Sequence, residues 1–336
     1  MPVNLGVCLP TFERGDEGMK EIPSLARHIE QVGLDMVWAG DHLCARVPFL
    51  ESVVALSAAA AVTERVRIGF GVMLLALRQQ AWAAKQLSSL QYLSGNRVVL
   101  GVGAGIHPQD WPVGGVAFAG RGRRTEVMLQ ALPDLFAGRP TSLLTVPGEP
   151  VMTLEPAVPA PPVWVGGMSD RTLRRVLDHG VGWLASLLEP AQLGERAAKL
   201  AAMAAEAGTR TPELGTTVFA TLSTDPQESC RSHQHLVHFL RSLTGEQGLS
   251  EQQATRLVVS GPPEKLAERL DQYLRAGART FVINLSGNNL RRQYDLLARS
   301  RELWAMIRDG ACYRAAPPVT MAACFLIGKS FMVHSP

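Results

Sequence analysis

A regular alternation dominates this amino-acid sequence: short apolar runs, each followed by a stretch whose apolar residues recur at helical spacing. The spacing predicts strands at Asn4 to Leu9, Leu34 to Trp38, Val66 to Gly71 and Arg97 to Val102. Helices are predicted over Lys20 to Val32, Phe49 to Val62, Ala81 to Leu93 and Arg121 to Phe136. In the first helix Ile22, Leu25, Ala26, Ile29 and Val32 share one face, and Gly33 stops it. Strands joined through helices by short turns must run parallel with right-handed crossovers.

The alternation loosens after the fourth unit. Residues Gly138 to Pro161 carry Pro140, Pro147, Pro150, Pro156, Pro159 and Pro161 and read as an excursion rather than a domain linker. It resumes with strands at Val163 to Val165, Gly182 to Leu184, Gly215 to Thr221 and Thr280 to Leu285. The helices among them are Ser169 to His179, Leu193 to Ala207, Pro226 to Leu243, Pro262 to Ala276 and Leu290 to Ile307. The count reaches about eight strands, the number a closed barrel of alternating strands and helices requires. The expected architecture is therefore a (β/α)8 TIM barrel over residues 1–310, with a Pro-rich insertion after the fourth unit and an atypical tail at 311–336. A doubly wound open sheet is the rival. It usually carries its glycine fingerprint in the first unit, whereas here the glycine cluster follows the fourth strand.

Composition narrows the function classes. Lys plus Arg number 33 against 30 Asp plus Glu, without a basic cluster, so neither nucleic acid nor an anionic membrane is an expected partner. The five cysteines, Cys8, Cys44, Cys230, Cys312 and Cys324, are scattered and form no C-x-x-C, as in a reducing cytoplasm. The first residues lack the pattern of a signal peptide, and no apolar run approaches the ~20 residues of a spanning helix. A cytoplasmic enzyme acting on a small-molecule substrate is expected.

In a barrel of this kind chemistry sits where the strands end. Those ends carry Thr11 and Phe12 after the first strand, the pair Asp41-His42 after the second, and Gly71-Val72 after the third. Gly103, Ala104, Gly105 and His107 follow the fourth strand, and Gly166, Gly167, Met168 and Ser169 the fifth. His42 has the chemistry of a proton donor or acceptor near working pH, and Asp41 adjoins it. The glycines after the fourth strand suit either close approach of a flat ring or phosphate, or simple tight turning. Gly166 to Ser169 opens a helix whose free N–H groups and dipole favour an anion, with Ser169 as N-cap. Arg124 and Glu126 read as ties between a helix and the barrel rim. His233, His235 and His238 invite a metal, but no carboxylate or Cys joins them at ligand spacing, so no metal is expected.

Six blocks in order, SLARHIEQVGLDMVWAGDHL, VRIGFGVMLLALRQQ, LSGNRVVLGVGAG, GRGRRTEVML, PPVWVGGMSDRTLRRVLDHGVGWL and SGPPEKLAERLDQYLRAGARTFVINL, resemble the bacterial luciferase-like family, TIM-barrel enzymes that bind FMN or coenzyme F420. The resemblance implies a flavin across the C-terminal face with Asp41 and His42 beside its ring. It places Gly71 and Val72 at the strand-three bulge, which in deazaflavin members holds a non-prolyl cis peptide. Gly103, Ala104 and Gly105 match the strand-four turn, and Gly166, Gly167, Met168 and Ser169 the phosphate turn. Asp41 and His42 are the catalytic candidates; Thr11, Phe12 and His107 are candidates for touching substrate. Where some deazaflavin dehydrogenases place a Glu after the strand-four glycines, this chain has Ile106 and His107. The forms VWAGDHL and SGNRVVLGVGAG are closer to the F420 branch and imply hydride transfer to or from a small organic substrate. The alternatives are an FMN-dependent monooxygenase and a non-catalytic flavin-binding relative. Barrels of this family tend to pair, so a homodimer is expected.

Overall fold

A computed structural model of the chain describes residues 3–12, 18–44, 48–244, 248–287 and 289–309. The predicted tail at 311–336 lies outside these residues. The strands are β1 (Asn4–Cys8), β2 (Met36–Ala39), β3 (Arg67–Met73), β4 (Val98–Val102), β5 (Thr141–Ser142), β6 (Val151–Met152), β7 (Val163–Gly166), β8 (Gly182–Ala185), β9 (Leu214–Leu222), β10 (Val258–Gly261) and β11 (Thr280–Leu285). Eight of them close a parallel barrel in the order β1-β2-β3-β4-β7-β8-β9-β11, with β11 returning to β1. The expected (β/α)8 fold is the observed one.

The helices are α1 (Ile22–Gln31), α2 (Ser52–Ala60), α3 (Gln80–Leu93), α4 (Asp110–Val113), α5 (Arg121–Phe136), α6 (Asp170–Asp178), α7 (Pro190–Glu206), α8 (Pro226–Thr244), α9 (Glu251–Leu257), α10 (Pro263–Arg275) and α11 (Leu290–Arg308). Helix α1 buries Ile22, Leu25, Ala26 and Ile29, the stripe its spacing foretells. Such stripes meet the outward residues of the strands, Leu5 and Val7 on β1 for example, in one continuous core between barrel and helices. Among the described residues no helix is long and apolar enough to cross a membrane.

Inside the barrel two tryptophans join the branched side chains of the interior layer. Trp38 and Trp164 pack with Met36, Val99, Leu184 and Val282, and strand glycines make room for them. A Cβ on Gly182 would lie 2.6 Å from the Trp164 ring, and one on Gly69 would overlap the Trp38 ring. Volume is conserved across neighbouring strands, each ring paired in register with a glycine. The barrel is thereby plugged below its C-terminal rim.

Two segments depart from a plain barrel. The long strand β9 pairs with β8 along its first half and with β10 along its second, so β10 takes the place of β8 near the rim. Helices α8 and α9 and strand β10 enclose a small separate core with Phe219, Leu236, Leu240 and Leu257. The sequence pattern assigns no element between Leu243 and Pro262, where α9 and β10 stand. The Pro-rich excursion runs outside α3, which holds it through Ser88 Oγ donating to the Pro156 carbonyl (2.7 Å) and Gln91 Nε2 donating to that of Pro159 (2.9 Å). Its turn at Thr145 reaches the rim, where the amide and hydroxyl of Thr145 donate to Gln80 Oε1 and its carbonyl accepts from Arg124.

Candidate functional site

Alternation along the strands sets which side chains look into the mouth. Above the tryptophan layer these are Cys8 on β1, Val72 on β3, Gly103 after β4, Gly166 on β7, Ser186 after β8, Thr217 on β9 and Asn284 on β11. The register between β3 and β4 shifts between Phe70 and Met73, and the Gly71–Val72 peptide is cis. This bulge turns the Val72 side chain inward. A Cβ on Gly166 would stand 2.8 Å from Val72 Cγ1, and one on Gly103 would overlap Val72 Cγ2. Gly103 after the fourth strand thus has a packing reason besides turning: with Gly166 it admits Val72. The outcome is a shallow shelf bare of protruding side chains on one half of the mouth. On the other half the Ser186 and Thr217 hydroxyls share a 2.6 Å hydrogen bond.

Asp41 and His42, adjacent in sequence, point to different partners. The Asp41 carboxylate accepts from Arg78 Nη1 and Nη2 (2.5 and 3.0 Å), from Ser52 Oγ (3.0 Å) and from the Leu74 amide (2.8 Å). Burial alone would lower the Arg78 pKa, but Asp41 and Glu51 beside it outweigh burial and raise it above its ordinary value. His42 instead places Nδ1 3.1 Å from Asp110 Oδ2. Asp110 opens α4 and is fully buried; its Oδ1 also accepts from the amides of Leu43 (3.2 Å) and Cys44 (2.6 Å). Asp110 went unrecognised in the sequence, where HPQDWP reads as an ordinary loop. Its one available signal was an Asp before Trp-Pro in a loop leaving a barrel strand.

A row of rings edges the mouth. Phe12 stacks between Phe49 (centroids 5.6 Å) and Phe239 of α8 (5.1 Å); His42 meets Phe49 edge-on (5.3 Å), and His107 meets His42 (5.0 Å). His107 is thereby brought beside His42. Thr11, behind this row, is buried, and its Oγ1 has no hydrogen-bond partner among the described residues. Ala104 and Gly105 continue from the shelf, and the Gly105 carbonyl accepts from Arg121 Nε at 3.2 Å.

The turn after β7 starts α6 as its sequence suggests. Ser169 caps the helix, its Oγ accepting from the Thr172 amide at 3.2 Å, and the Gly167 carbonyl accepts from Trp183 Nε1 at 2.8 Å. Met168 is exposed, and its carbonyl accepts from Arg196. Arg196 and Lys199 of α7 also pair with Asp170, and these hydrogen bonds hold the Asp170 carboxyl below its usual range. Two cations therefore stand beside the helix N-terminus. Arg124 donates to the carbonyls of Ala76, Arg78 and Thr145, and Glu126 pairs with Arg175 at 3.1 Å, so both tie α5 to the rim.

The three-histidine segment separates. His233 Nδ1 lies 2.8 Å from Ser260 Oγ, and burial, with Lys265 nearby, lowers its pKa; His235 and His238 are exposed. No group of three potential metal ligands occurs among the described residues. A cavity of about 490 Å³ lined by Pro162, Trp164, Gly182 and Arg210 lies at the opposite end of the barrel, away from these side chains.

A family model described as luciferase-like monooxygenase matches residues 3–280. An uncharacterised protein of Mycobacterium tuberculosis (strain ATCC 25618 / H37Rv) is 37% identical over 170 residues, 49% of this chain and 58% of its own length. The chain thus spans less than two thirds of that relative. An F420-dependent secondary alcohol dehydrogenase, solved with an F420-acetone adduct, matches with a TM-score of 0.77 at 16% identity, over 90% of this chain and 99% of the other. A type II Baeyer-Villiger monooxygenase, the oxygenating constituent of 3,6-diketocamphane monooxygenase of Pseudomonas putida solved with FMN, matches with a TM-score of 0.68 at 16% identity, over 90% and 97%. Likeness at such identity is likeness of fold.

Proposed function

Because the chain belongs to the luciferase-like monooxygenase family, a family of oxidoreductases that use F420 or FMN, we propose that it binds coenzyme F420 and transfers a hydride to or from a small organic substrate. The observation that carries this reading is the bare shelf of Gly103, Val72 and Gly166 with His42 at its edge. A planar ring needs a level surface, and the missing side chains at Gly103 and Gly166 let the Val72 methyls settle between them instead of standing proud. Ser186, Thr217 and Asn284 supply hydroxyls and a carboxamide for the polar edge of such a ring. The amides following Ser169, with Arg196 and Lys199 close by, suit its phosphate. The VWAGDHL and SGNRVVLGVGAG forms favour F420 over FMN.

When bound, the cofactor supplies the hydride chemistry; the chain positions and screens it. His42 holds or moves a proton at the shelf edge, with Asp41 positioning that strand end. Phe12 with Phe49 and Phe239 forms an apolar wall that excludes water and accepts an apolar part of the substrate, with Thr11 buried behind it. His107 stands where a polar group of that substrate would enter. A second reading, reduced FMN with dioxygen, is favoured by the monooxygenases of the family. We place a second copy of the chain on α2 and α3, where Val54, Trp82, Tyr92 and Leu93 are exposed.

Fluorescence titration with F420 and with FMN tests the cofactor. F420 binding tighter than FMN supports the proposal; FMN alone would replace it with the monooxygenase, and neither would leave a relative without cofactor. In the loaded protein, His42→Ala lowers turnover about a hundredfold while changing cofactor affinity little.

A further inference from the structure

Among the described residues only two carboxylates are buried, Asp41 and Asp110, and both serve the exit of β2. Asp41 is neutralised by Arg78. Among the described residues Asp110 has no Arg or Lys partner: its hydrogen bonds there are to the amides of Leu43 and Cys44 and to His42 Nδ1. A buried carboxylate without a cation persists only where N–H groups satisfy its oxygens. Oδ1 takes both amides, so among the described residues Oδ2 depends on the imidazole. Were the ring proton on Nε2, two lone pairs would face each other across 3.1 Å and Oδ2 would lose this donor.

We propose that Asp110 is a positioning residue that locks His42 in the Nδ1–H tautomer, leaving Nε2 as a hydrogen-bond acceptor at the edge of the mouth. Nδ1 is committed, so Nε2 is the nitrogen that can receive a proton from a bound molecule; the resulting imidazolium would be held by the carboxylate behind it. Phe49 and His107 meet the ring and narrow its freedom to turn. The role deepens the proposed function and rests on it only for what Nε2 faces; the tautomer is a property of the chain itself.

The test is long-range proton–nitrogen NMR of histidine-labelled protein without cofactor, at a pH about two units above the ordinary imidazole value near 6.5. The chain has eight histidines, and the His42 signals are those missing from His42→Gln. The expected result is Nδ1–H in about tenfold or greater excess over Nε2–H. Asp110→Asn sharpens the test: its carbonyl oxygen still accepts from Leu43 and Cys44, but its NH2 donates to Nδ1 and reverses the tautomer. Nε2–H in the unsubstituted protein, or an unchanged tautomer in a folded Asp110→Asn, would overturn the proposal. Should that variant fail to fold, the unsubstituted spectrum decides. F420 and FMN titrations of the same samples report separately on the cofactor reading, so either idea can fail alone.

Discussion

At the scale of single residues, Asp41 and His42 divide the work that their adjacency suggests they share. Neighbours in extended chain project to opposite sides, so one carboxylate turns to Arg78 and Ser52 while the imidazole turns to Asp110. The Asp41–Arg78 pair is mostly buried, the two side chains 4% and 16% exposed. Removing one partner of such a pair strands the other charge in a poorly solvated place. Arg78→Met is therefore expected to cost about 3 kcal/mol, read as a lower urea midpoint at unchanged slope. A midpoint unchanged within error would mean that water replaces the guanidinium and that Asp41 is wetter than its burial implies. The sequence made His42 visible, because an imidazole at a strand exit is chemically conspicuous. Asp110 stayed hidden because its meaning is a contact 68 residues away along the chain. Local periodicity carries no information about such a contact.

At the scale of elements, the strands and helices were legible because each carries its own period; the bulge on β3 has no period and was legible only through the family resemblance, which places Gly71 and Val72 there. Spacing ends that strand at Gly71, whereas the structure carries it to Met73 through an inward Val72. The glycines of GVGAG were equally compatible with ligand approach and with turning. The partner that explains Gly103, Val72, lies on the neighbouring strand. The segment holding α9 and β10 was silent for a related reason: β10 is four residues long and pairs only with the upper half of β9. The shelf makes a quantitative prediction. Gly103→Ala brings a Cβ against Val72 Cγ2 and should cost about 1–3 kcal/mol of stability. Cofactor affinity should fall by about tenfold as the shelf rises. Val72→Ala added to that variant should restore part of both losses, a coupling seen only between touching side chains. Purely additive urea midpoints would show that Val72 is not what Gly103 makes room for.

At the scale of the whole molecule, the tryptophan plug closes the barrel below its rim, so ligands have one end from which to reach the strand exits. The helices beside this end are not equally covered. Trp82 is 66% exposed and Leu93 79%, and about three turns of α3 put them on one side of it. Apolar surface of this kind on a helix face is costly to leave in water and suits a second copy. The same helices support the site: Ser52 begins α2, Arg78 precedes α3, and both bond Asp41. A partner packed there would stiffen the elements that fix the exit of β2. Sedimentation at micromolar concentration should accordingly give twice the 36.3 kDa of one chain. The double variant Trp82→Asp/Leu93→Asp should sediment as one chain, melt at lower temperature and bind cofactor several-fold more weakly. A monomeric unsubstituted protein would remove the dimer. A monomeric variant with undiminished affinity would keep the dimer and sever it from the site.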